Sequence, residues 1–427
     1  MPEPEYDVLV AGAGIGGLTT ALSLHAAGIG VGLVEMARPP LAAGFGINLL
    51  PHAVRELTEL GLGEALAATA VPTAVMVHYD RHGNHIWGEP RGLGLGYRWP
   101  QYSLRRSALH EILLGAVRAR LGAGAVRTGV AVVRFGDLDA RLLRVTLRDT
   151  ERARDHVATA SALIGADGLH SAVRAQLHPG EGPPLWNGVR MWRGTVDWHP
   201  VLGGRTVAVA GCQATAKLVV YPVSREAENR GGALLNWVAE VRFPVETGIA
   251  GPADWNRKGR LADILPHFAG WRIGDLDVPA MIAATPRILE YPMVDRAPLA
   301  WWGRGPVTLL GDAAHPMYPI GSNGGSQAVL DARMLALCLA RAGRDREAGL
   351  RAYEAHRRAS VNALVLANRS MPADRLLQLV AERAPGGFER VEDILTEEEF
   401  STFRTAYRAT TGTDAAELNA RGSWSVY

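Results

Sequence analysis

Short apolar runs alternate with amphipathic helical stretches near both ends of the chain, and this pattern predicts an α/β architecture. The runs 6–11 and 29–34 are bounded by glycine or polar residues, as is typical of buried parallel strands, and a helical pattern over 18–27 separates them. The run 306–310 has the same character and precedes a helical pattern over 326–341. This strand, helix, strand order predicts a Rossmann-like domain.

The middle of the chain has a different period. Residues 74–87 alternate around a polar turn at 80–84, which predicts a hairpin, and residues 182–283 are rich in strand patterns separated by Pro and Gly. We therefore predict an antiparallel sheet inserted into the first domain. The expected division is a nucleotide-binding domain at 1–72, 98–181 and 284–345, a substrate-binding sheet domain at 73–97 and 182–283, and a helical region at 346–427.

Three local features refine this outline. Residues 52–68 read as one amphipathic helix, and Ser107 is a plausible N-cap for a helix over 108–121. The last stretch, 388–420, is acidic and then basic with few residues suited to a core. A dimer contact, a lid over the pocket and a loosely packed extension all remain open for it.

Composition narrows the class of partner. The 427 residues are 48% hydrophobic, and 45 Lys and Arg against 43 Asp and Glu give a net charge of +2, so charge gives no indication of nucleic-acid or membrane binding. The two cysteines indicate neither a disulfide framework nor a cysteine metal site. We expect a cytoplasmic monomer or homodimer that binds a small molecule.

The first apolar strand runs into a glycine-rich turn. Gly12, Gly14 and Gly17 match the dinucleotide fingerprint, in which absent side chains permit a tight turn, approach of a pyrophosphate and close helix packing. The second strand ends at Glu35, where a carboxylate accepts ribose hydroxyls. An acid here suits FAD or NAD rather than a 2′-phosphorylated ribose.

Two further strand-to-helix turns carry chemistry. Asp167-Gly168 follows an apolar strand, with Arg174 on the succeeding helix, and we expect both residues to tie the nucleotide-binding sheet to an extended ligand. The stretch 311–325 contains Asp312 and ends in glycines that would open a helix N-terminus, whose amides suit the negative charge of a reduced flavin. In this stretch His315 is a candidate catalytic residue, but its side chain could equally form a hydrogen bond to the backbone of the loop. We regard Tyr318 as the better candidate for a residue that lines the pocket.

Taken together, the three turns have the order and spacing found in the class A flavoprotein aromatic hydroxylases, and the chain resembles that family over roughly residues 5 to 370. The chain most resembles the branch that contains the pyocyanin-forming phenazine hydroxylase, and it resembles salicylate-hydroxylase-like enzymes more distantly. The segments 100–103, 191–194 and 291–296 share it.

This resemblance implies a p-hydroxybenzoate hydroxylase-like fold and a function. NADH or NADPH would reduce FAD, oxygen would add at C4a, and the resulting hydroperoxide would hydroxylate an aromatic substrate in secondary metabolism, with or without loss of a carboxylate. A dehydrogenase or reductase of the same fold and a non-catalytic flavin-binding protein are the alternatives. A flavin halogenase is disfavoured, because its Trp-x-Trp-x-Ile-Pro segment is absent.

The resemblance also assigns residues. Glu35 would bind the adenosine ribose, Arg106 and Asp312 the pyrophosphate and ribityl chain, and Asp167 would help to hold FAD. The predicted cofactor-binding set is Gly12, Gly14, Gly17, Glu35, Ile47, Arg106, Asp167, Asp312, Gly321, Asn323, Gly324 and Gly325. The predicted catalytic set is Pro319, Tyr318 and Gly321. Apart from the resemblance, a sheet face lined by Trp, Tyr and Met suits a flat aromatic substrate, although these side chains could equally be core, and the predicted substrate-binding set is Trp192, Tyr221, Met293 and Tyr318.

A pair of arginines and a group of histidines each have two possible interpretations. Arg190 and Arg193 leave room for an acidic substrate, although each could be a structural charge. His78, His82 and His85 invite a metal hypothesis, but a polar hairpin tip is the simpler interpretation, and we expect no metal.

Overall fold

A computed structural model of the chain describes residues 5–38, 44–138, 142–245, 257–370, 372–411 and 414–426. The strands, in chain order, are β1 Tyr6–Ala11, β2 Val31–Glu35, β3 Gly46–Leu49, β4 Val71–Thr73, β5 Val75–Tyr79, β6 His85–Pro90, β7 Gln101–Arg105, β8 Val126–Thr128, β9 Val130–Asp137, β10 Leu143–Asp149, β11 Arg154–Gly165, β12 Leu185–Trp198, β13 Thr206–Gly211, β14 Ala216–Pro222, β15 Ala233–Arg242, β16 Arg272–Ile273, β17 Leu276–Asp277, β18 Ile288–Asp295, β19 Gly303–Arg304 and β20 Val307–Leu309. The helices are α1 Ile15–Ala26, α2 Pro51–Glu59, α3 Gly63–Thr69, α4 Arg106–Leu121, α5 Ala172–Leu177, α6 Arg225–Asn229, α7 Leu261–Ile264, α8 Val278–Ala283, α9 Asn323–Ala342, α10 Arg346–Ser370, α11 Pro372–Arg383, α12 Glu397–Thr411 and α13 Ala415–Ala420.

The first sheet has the order β19-β20-β11-β1-β2-β8, and β1 is paired in parallel with β2 and with β11. Because β2, β8 and β20 are also added in parallel, the carboxyl ends of these strands lie along one edge. The three predicted turns follow β1, β11 and β20, so all of them lie at this edge. Ligands of open parallel sheets bind there, beside the strand where the chain order reverses.

A short antiparallel unit extends β11. Its first half pairs with β10, which pairs in turn with β9, and its second half joins β1. This three-stranded unit is therefore continuous with the main sheet.

The second sheet has the order β18-β12-β15-β14-β13-β5-β6 and is antiparallel except for the parallel pair β13 and β5. One face packs against α7, α8 and their turns around Trp192, Trp237 and Phe268, all fully buried. The other face looks toward the first domain. This confirms the expected α/β fold with an inserted, largely antiparallel sheet.

Three boundaries differ from the sequence prediction. The expected helix over 52–68 is two helices, because Gly61 adopts a φ of +75° that ends the first. Ser107 is not an N-cap, since α4 begins at Arg106. Strand β18 pairs with β12, so the expected domain boundary at 284 falls before a strand of the second sheet. The rest of the domain division stays a prediction.

The C-terminal region holds more core residues than its sequence indicated. Leu395 and Phe403 are buried with α11 against Ile86 and Val209 of the second sheet. Further along, Arg55 of α2 donates hydrogen bonds to the carbonyls of Leu418 and Arg421 at 2.7 Å. Both parts of the tail are therefore packed, which disfavours the loosely packed extension.

Membrane-spanning helices and metal sites were considered over all described residues. No helix among the described residues is long and apolar enough to cross a bilayer. The three histidines near the hairpin have separate surroundings: His78 stacks on Trp87, while His82 bonds the carbonyl of Pro385. Over the same described ranges, no group of three His, Cys, Asp or Glu is placed to hold a metal ion.

Candidate active site

A cavity of about 530 Å³ lies between the carboxyl edge of the first sheet and the facing side of the second. Most of the predicted site residues line it: Gly12, Gly14, Glu35, Ile47, Arg106, Asp167, Tyr221, Asp312, Tyr318, Pro319, Asn323, Gly324 and Gly325. The parallel strands bring these distant segments together because each segment directly follows a strand end or packs on one.

The three glycines after β1 differ in their surroundings. A Cβ at Gly17 would lie 1.9 Å from the carbonyl oxygen of Gly12, and one at Gly12 would lie 2.5 Å from that of Ala166. A Cβ at Gly14 would meet no protein atom within 4 Å. Gly17 and Gly12 therefore permit close backbone packing, whereas Gly14 leaves space in the cavity at the N-terminus of α1.

Glu35 lies at the end of β2 and is fixed by backbone amides. Its Oε2 accepts a hydrogen bond from the amide of Ala13 and its Oε1 from that of Ala37, both at 2.8 Å. The carboxylate is thus held beside the glycine turn, where a ribose next to a pyrophosphate would lie.

Asp167 organises the turn after β11. Its carboxylate accepts hydrogen bonds from the hydroxyl of Ser171 at 2.5 Å and from the amide of Ala172 at 2.8 Å. Burial raises the pKa of Asp167 above its usual value, although these bonds act in the opposite direction. The carboxylate of Asp167 therefore accepts hydrogen bonds from the N-terminus of α5, and the residue also lines the cavity.

Arg174 does not reach the cavity, contrary to our expectation of a tie to the ligand. It is 2% exposed, and its Nη1 donates to the carbonyls of Ala313 and Ala314 at 2.9 and 2.8 Å. Its Nε donates to Glu181 at 2.7 Å. Arg174 therefore joins the turn after β11 to the turn after β20.

The entry to α9 is a tight left-handed turn. Gly321 and Ser322 have φ angles of +66° and +60°, and no side chain caps the helix. The first turn of α9, at Asn323, Gly324 and Gly325, lines the cavity, and the amides at the start of a helix suit an anionic ligand. Gly321 itself lies outside the cavity lining, so its part is to shape this turn.

Ile47 packs on the same helix entry. A Cβ at Gly325 would lie 2.7 Å from Cδ1 of Ile47, so the glycine allows β3 to approach α9 closely.

His315 is neither placed as a catalytic residue nor hydrogen-bonded through its side chain to the loop backbone. Its Nε2 lies 2.5 Å from Oδ2 of Asp331 on α9, and Arg357 donates to the other carboxylate oxygen at 2.8 Å. Gly311 also donates its amide to Asp331. His315 is 2% exposed and outside the cavity lining, so it fixes the loop to α9 through a side-chain pair.

Tyr318 lines the cavity, and its hydroxyl hydrogen is directed to a neighbouring carboxylate rather than to a substrate. Burial and the nearby Asp295, which is also its hydrogen-bond partner, raise the pKa of Tyr318 to about 12. Asp295 in turn accepts hydrogen bonds from Arg369 of α10 at 2.6 and 3.0 Å. Sequence gave no signal for this network, because its members are far apart in the chain.

Strand alternation decides which residues of the second sheet face the cavity. Odd-numbered positions of β12 and β14 and even-numbered positions of β15 line it: Met191, Arg193, Val219, Tyr221, Val238 and Glu240. Trp192 projects to the opposite face, is fully buried, and donates to Glu290 at 3.1 Å. We therefore withdraw Trp192 as a substrate residue.

Met293 is a second departure. It lies in the buried cluster beside the cavity with Met191 and Tyr318, yet it is fully buried and does not line the cavity. We missed Met191, Val219, Val238 and Glu240. The period of two along β14 offers Val219 once Tyr221 is placed, whereas the other three depend on the register of β12 and β15.

Two arginines reach the cavity. Arg193 donates to the carbonyl of Gly46 at 3.0 Å and lies 5.5 Å from the ring centroid of Phe45, while its Nε is buried without a hydrogen-bond partner among the described residues. Arg106 is exposed at the start of α4, and its guanidinium has no hydrogen bond or ion pair within the described ranges. Arg190, by contrast, is paired with Glu290.

These features fit a bound FAD. Two helix N-termini without side-chain caps meet one elongated cavity, with open space at Gly14, an anchored carboxylate at Glu35 and a cation at Arg106. A diphosphate is an anion that such helix ends attract.

One prediction separates the roles within the loop. We expect Asp312→Ala to weaken FAD retention, because Asp312 is exposed to the cavity in the turn after β20. Pro319→Ala and Tyr318→Phe should leave the protein yellow and uncouple NAD(P)H oxidation from product formation. Flavin content after gel filtration and the ratio of product to NAD(P)H check this, and equal flavin loss in all three variants would contradict the assignment.

Comparisons with known proteins agree with this geometry. The model of the FAD binding domain family matches residues 5–368. The phenazine 1,6-dicarboxylic acid hydroxylase of Lysobacter antibioticus is 48% identical over 86% of this chain and 89% of its own length. The 3-amino-4-hydroxybenzoate 2-monooxygenase of Streptomyces platensis is 31% identical over 81% and 83%. The structure of HpxO of Klebsiella pneumoniae with FAD and uric acid is 26% identical, with a TM-score of 0.71 over 96% of this chain and 94% of that one.

Proposed function

The chain belongs to the FAD binding domain family and is an FAD-dependent aromatic hydroxylase that uses NAD(P)H and oxygen, and we propose that its substrate is a fused-ring aromatic carboxylic acid of the phenazine class. The observation that carries this proposal is the pairing of a flat apolar cavity wall with Arg193.

The wall is formed by the second sheet. Met191, Val219 and Val238 lie on adjacent strands in direct register or one pair apart, and Tyr318 packs in one cluster with Met191 and Val238 while it lines the same cavity. A wall of apolar and aromatic side chains favours a flat ring system over a flexible chain.

Arg193 supplies charge at this wall. Its neighbour Val238 is apolar, and its Nε has no protein partner within the described residues. A guanidinium binds a carboxylate through parallel hydrogen bonds, so an aromatic acid would pair with Arg193 from the cavity side. The relative that is 48% identical hydroxylates a phenazine dicarboxylic acid, which supports the same class here.

The protein residues have defined parts in this reaction. We propose that Glu35, Arg106 and Asp312 hold the cofactor, while the amides at the start of α9 stabilise negative charge on its ring. When bound and reduced, FAD supplies the activated oxygen. Tyr318, held by Asp295, and Pro319 would position the substrate and exclude water beside the ring. A cytoplasmic location and a monomer or homodimer stay part of this proposal.

The proposal is tested by substrate-stimulated oxidation. Purified protein with FAD should oxidise NADH or NADPH faster in air when phenazine-1-carboxylic acid or the 1,6-diacid is present, and mass spectrometry should find a hydroxylated product. A product that has gained one oxygen and kept its carboxylate would indicate simple hydroxylation. A product in which a hydroxyl group has replaced the carboxylate would indicate decarboxylative hydroxylation. Neither stimulation nor product with any phenazine acid would contradict the proposed class.

Arg193→Met tests the carboxylate contact. The KM for the acid should rise about tenfold or more, since a hydrogen bond to a charged group contributes about 1.5–3 kcal/mol. Binding of unsubstituted phenazine, followed by flavin absorbance, should change little. Arg190→Met is the matched control, because Arg190 lies on the same strand but pairs with Glu290. An equal effect in both variants would indicate a general disturbance of the strand.

A further inference from the structure

Glu240 is a carboxylate at the wall of an otherwise apolar part of the cavity. It lies on β15 opposite Met191 of β12 and Lys217 of β14, and it is 4% exposed. Its Oε2 accepts a hydrogen bond from Gln213 at 2.6 Å and lies 3.1 Å from Nζ of Lys217. Its Oε1 has no hydrogen bond to any residue that the structure describes.

The surroundings of Glu240 carry an excess of negative charge. Lys217 also pairs with Asp374 of α11 at 3.1 Å, so one ammonium is shared by two carboxylates. Burial acts to lower the pKa of Lys217, but Asp374 and Glu240 outweigh it and raise the pKa above its usual value. The cluster therefore holds one cation against two anions at this end of the cavity.

Arg193 and Glu240 are placed for recognition of one flat molecule at two points. Arg193 is opposite Val238 and Met191 is opposite Glu240, so the two charged residues are diagonal neighbours on the same face. Diagonal neighbours on adjacent strands are separated by about 7–8 Å, and the space between them is covered by Met191 and Val238. A fused aromatic ring system lying on these side chains would place opposite edges near the two charges.

We propose that Glu240 is a specificity-determining residue, which accepts a hydrogen bond from a hydroxyl or N–H group on the ring edge opposite the carboxylate bound by Arg193. This inference rests on the proposed function and deepens it. The preferred substrate is then an aromatic acid that carries a donor on its far edge. A second ionised carboxylate at that edge is disfavoured, because it would face the net negative cluster.

Binding to the oxidised holoenzyme tests this without turnover. We would titrate 6-hydroxyphenazine-1-carboxylic acid and its 6-methoxy analogue and follow flavin absorbance. The hydroxy acid should bind about tenfold more tightly, as expected for a hydrogen bond to a charged acceptor. In Glu240→Gln this preference should shrink several-fold, whereas phenazine-1,6-dicarboxylic acid should bind more tightly than it does to the unchanged protein.

Asp197→Asn is the matched control, because it removes one carboxylate from an exposed position on β12. It should keep the full preference for the hydroxy acid. Equal affinities of the hydroxy and methoxy acids for the unchanged holoenzyme would overturn the role of Glu240 while leaving the proposed function standing, and this comparison does not depend on whether Glu240→Gln folds. Failure of every phenazine acid to bind would instead contradict the proposed function and this inference with it.

Discussion

Replacing Gly17 with alanine is expected to destabilise the fold by about 3 kcal/mol and to abolish FAD binding. The new Cβ would lie 1.9 Å from the carbonyl oxygen of Gly12, which is backbone and cannot move aside as a flexible side chain would. Helix α1 would have to shift away from the turn after β1. Because that turn and the N-terminus of α1 form one end of the cavity, the shift would remove the pyrophosphate site together with the packing.

Gly14→Ala provides the contrast. Its Cβ would meet no protein atom within 4 Å, and a φ of −75° is accessible to alanine, so we expect stability without FAD to remain within about 0.5 kcal/mol of the unchanged protein. Its affinity for FAD should nevertheless fall about tenfold or more, since the methyl group occupies the space that the cofactor needs. Urea unfolding of FAD-free protein and titration with FAD measure the two effects separately. Equal stability of the two variants without FAD would show that Gly17 does not hold the helix in contact with the turn.

The first domain could be predicted from sequence because its determinants are local. β1, β20 and the end of β11 are short apolar runs, and parallel pairing then places the residues that follow these strands at one edge. Gly12, Asp167 and Asp312 could therefore be brought together from sequence. The helix break at Gly61 was missed because an amphipathic pattern continues across it.

The second sheet was less predictable because alternation gives two faces without saying which one is buried against helices. Trp192 was chosen for its aromatic ring, but α7 and α8 cover its side of the sheet, and Arg193 and Met191 face the cavity instead. The same reasoning from Tyr221 alone would have selected Val219 on β14. Only the packing of the layers settles this choice.

Side-chain links between distant segments had no local signal at all. Asp295 is held by Arg369, 74 positions away, and His315 by Asp331 on a helix whose register was not known. These pairs depend on how α9 and α10 pack beside the turn after β20. They explain why Tyr318 and the loop around it could be named from sequence although their supporting contacts could not.

Arg174→Met is expected to destabilise the protein by about 2–3 kcal/mol, because it removes a buried guanidinium that donates to two backbone carbonyls and to the partly exposed carboxylate of Glu181. The substitution keeps an apolar stem but leaves the carbonyls of Ala313 and Ala314 without their donor. The turn after β20 should then become mobile, so that FAD dissociates more readily even from the folded protein. Thermal unfolding and the rate of flavin release measure these two consequences.

The pH dependence follows from Glu181, which accepts from both Arg174 and Arg296. Burial acts to raise the pKa of Glu181, but the hydrogen bond and charge of Arg174 outweigh it and lower the pKa. A carboxylate of this kind stabilises the fold above its unfolded pKa and loses that contribution as the pH falls through the lower, folded value. The stability difference between the unchanged protein and Arg174→Met should therefore be largest near neutral pH and shrink in acid.

Arg296→Met is the control for the loop itself. Arg296 donates to Glu181 at 3.1 Å and to the carbonyl of Gly182, but it makes no hydrogen bond to the described residues of the turn after β20. It should lose part of the acid-dependent stability while releasing flavin at nearly the unchanged rate. Faster flavin release from Arg296→Met than from Arg174→Met would mean that Glu181, rather than the pair of loop carbonyls, transmits the effect to the cofactor site.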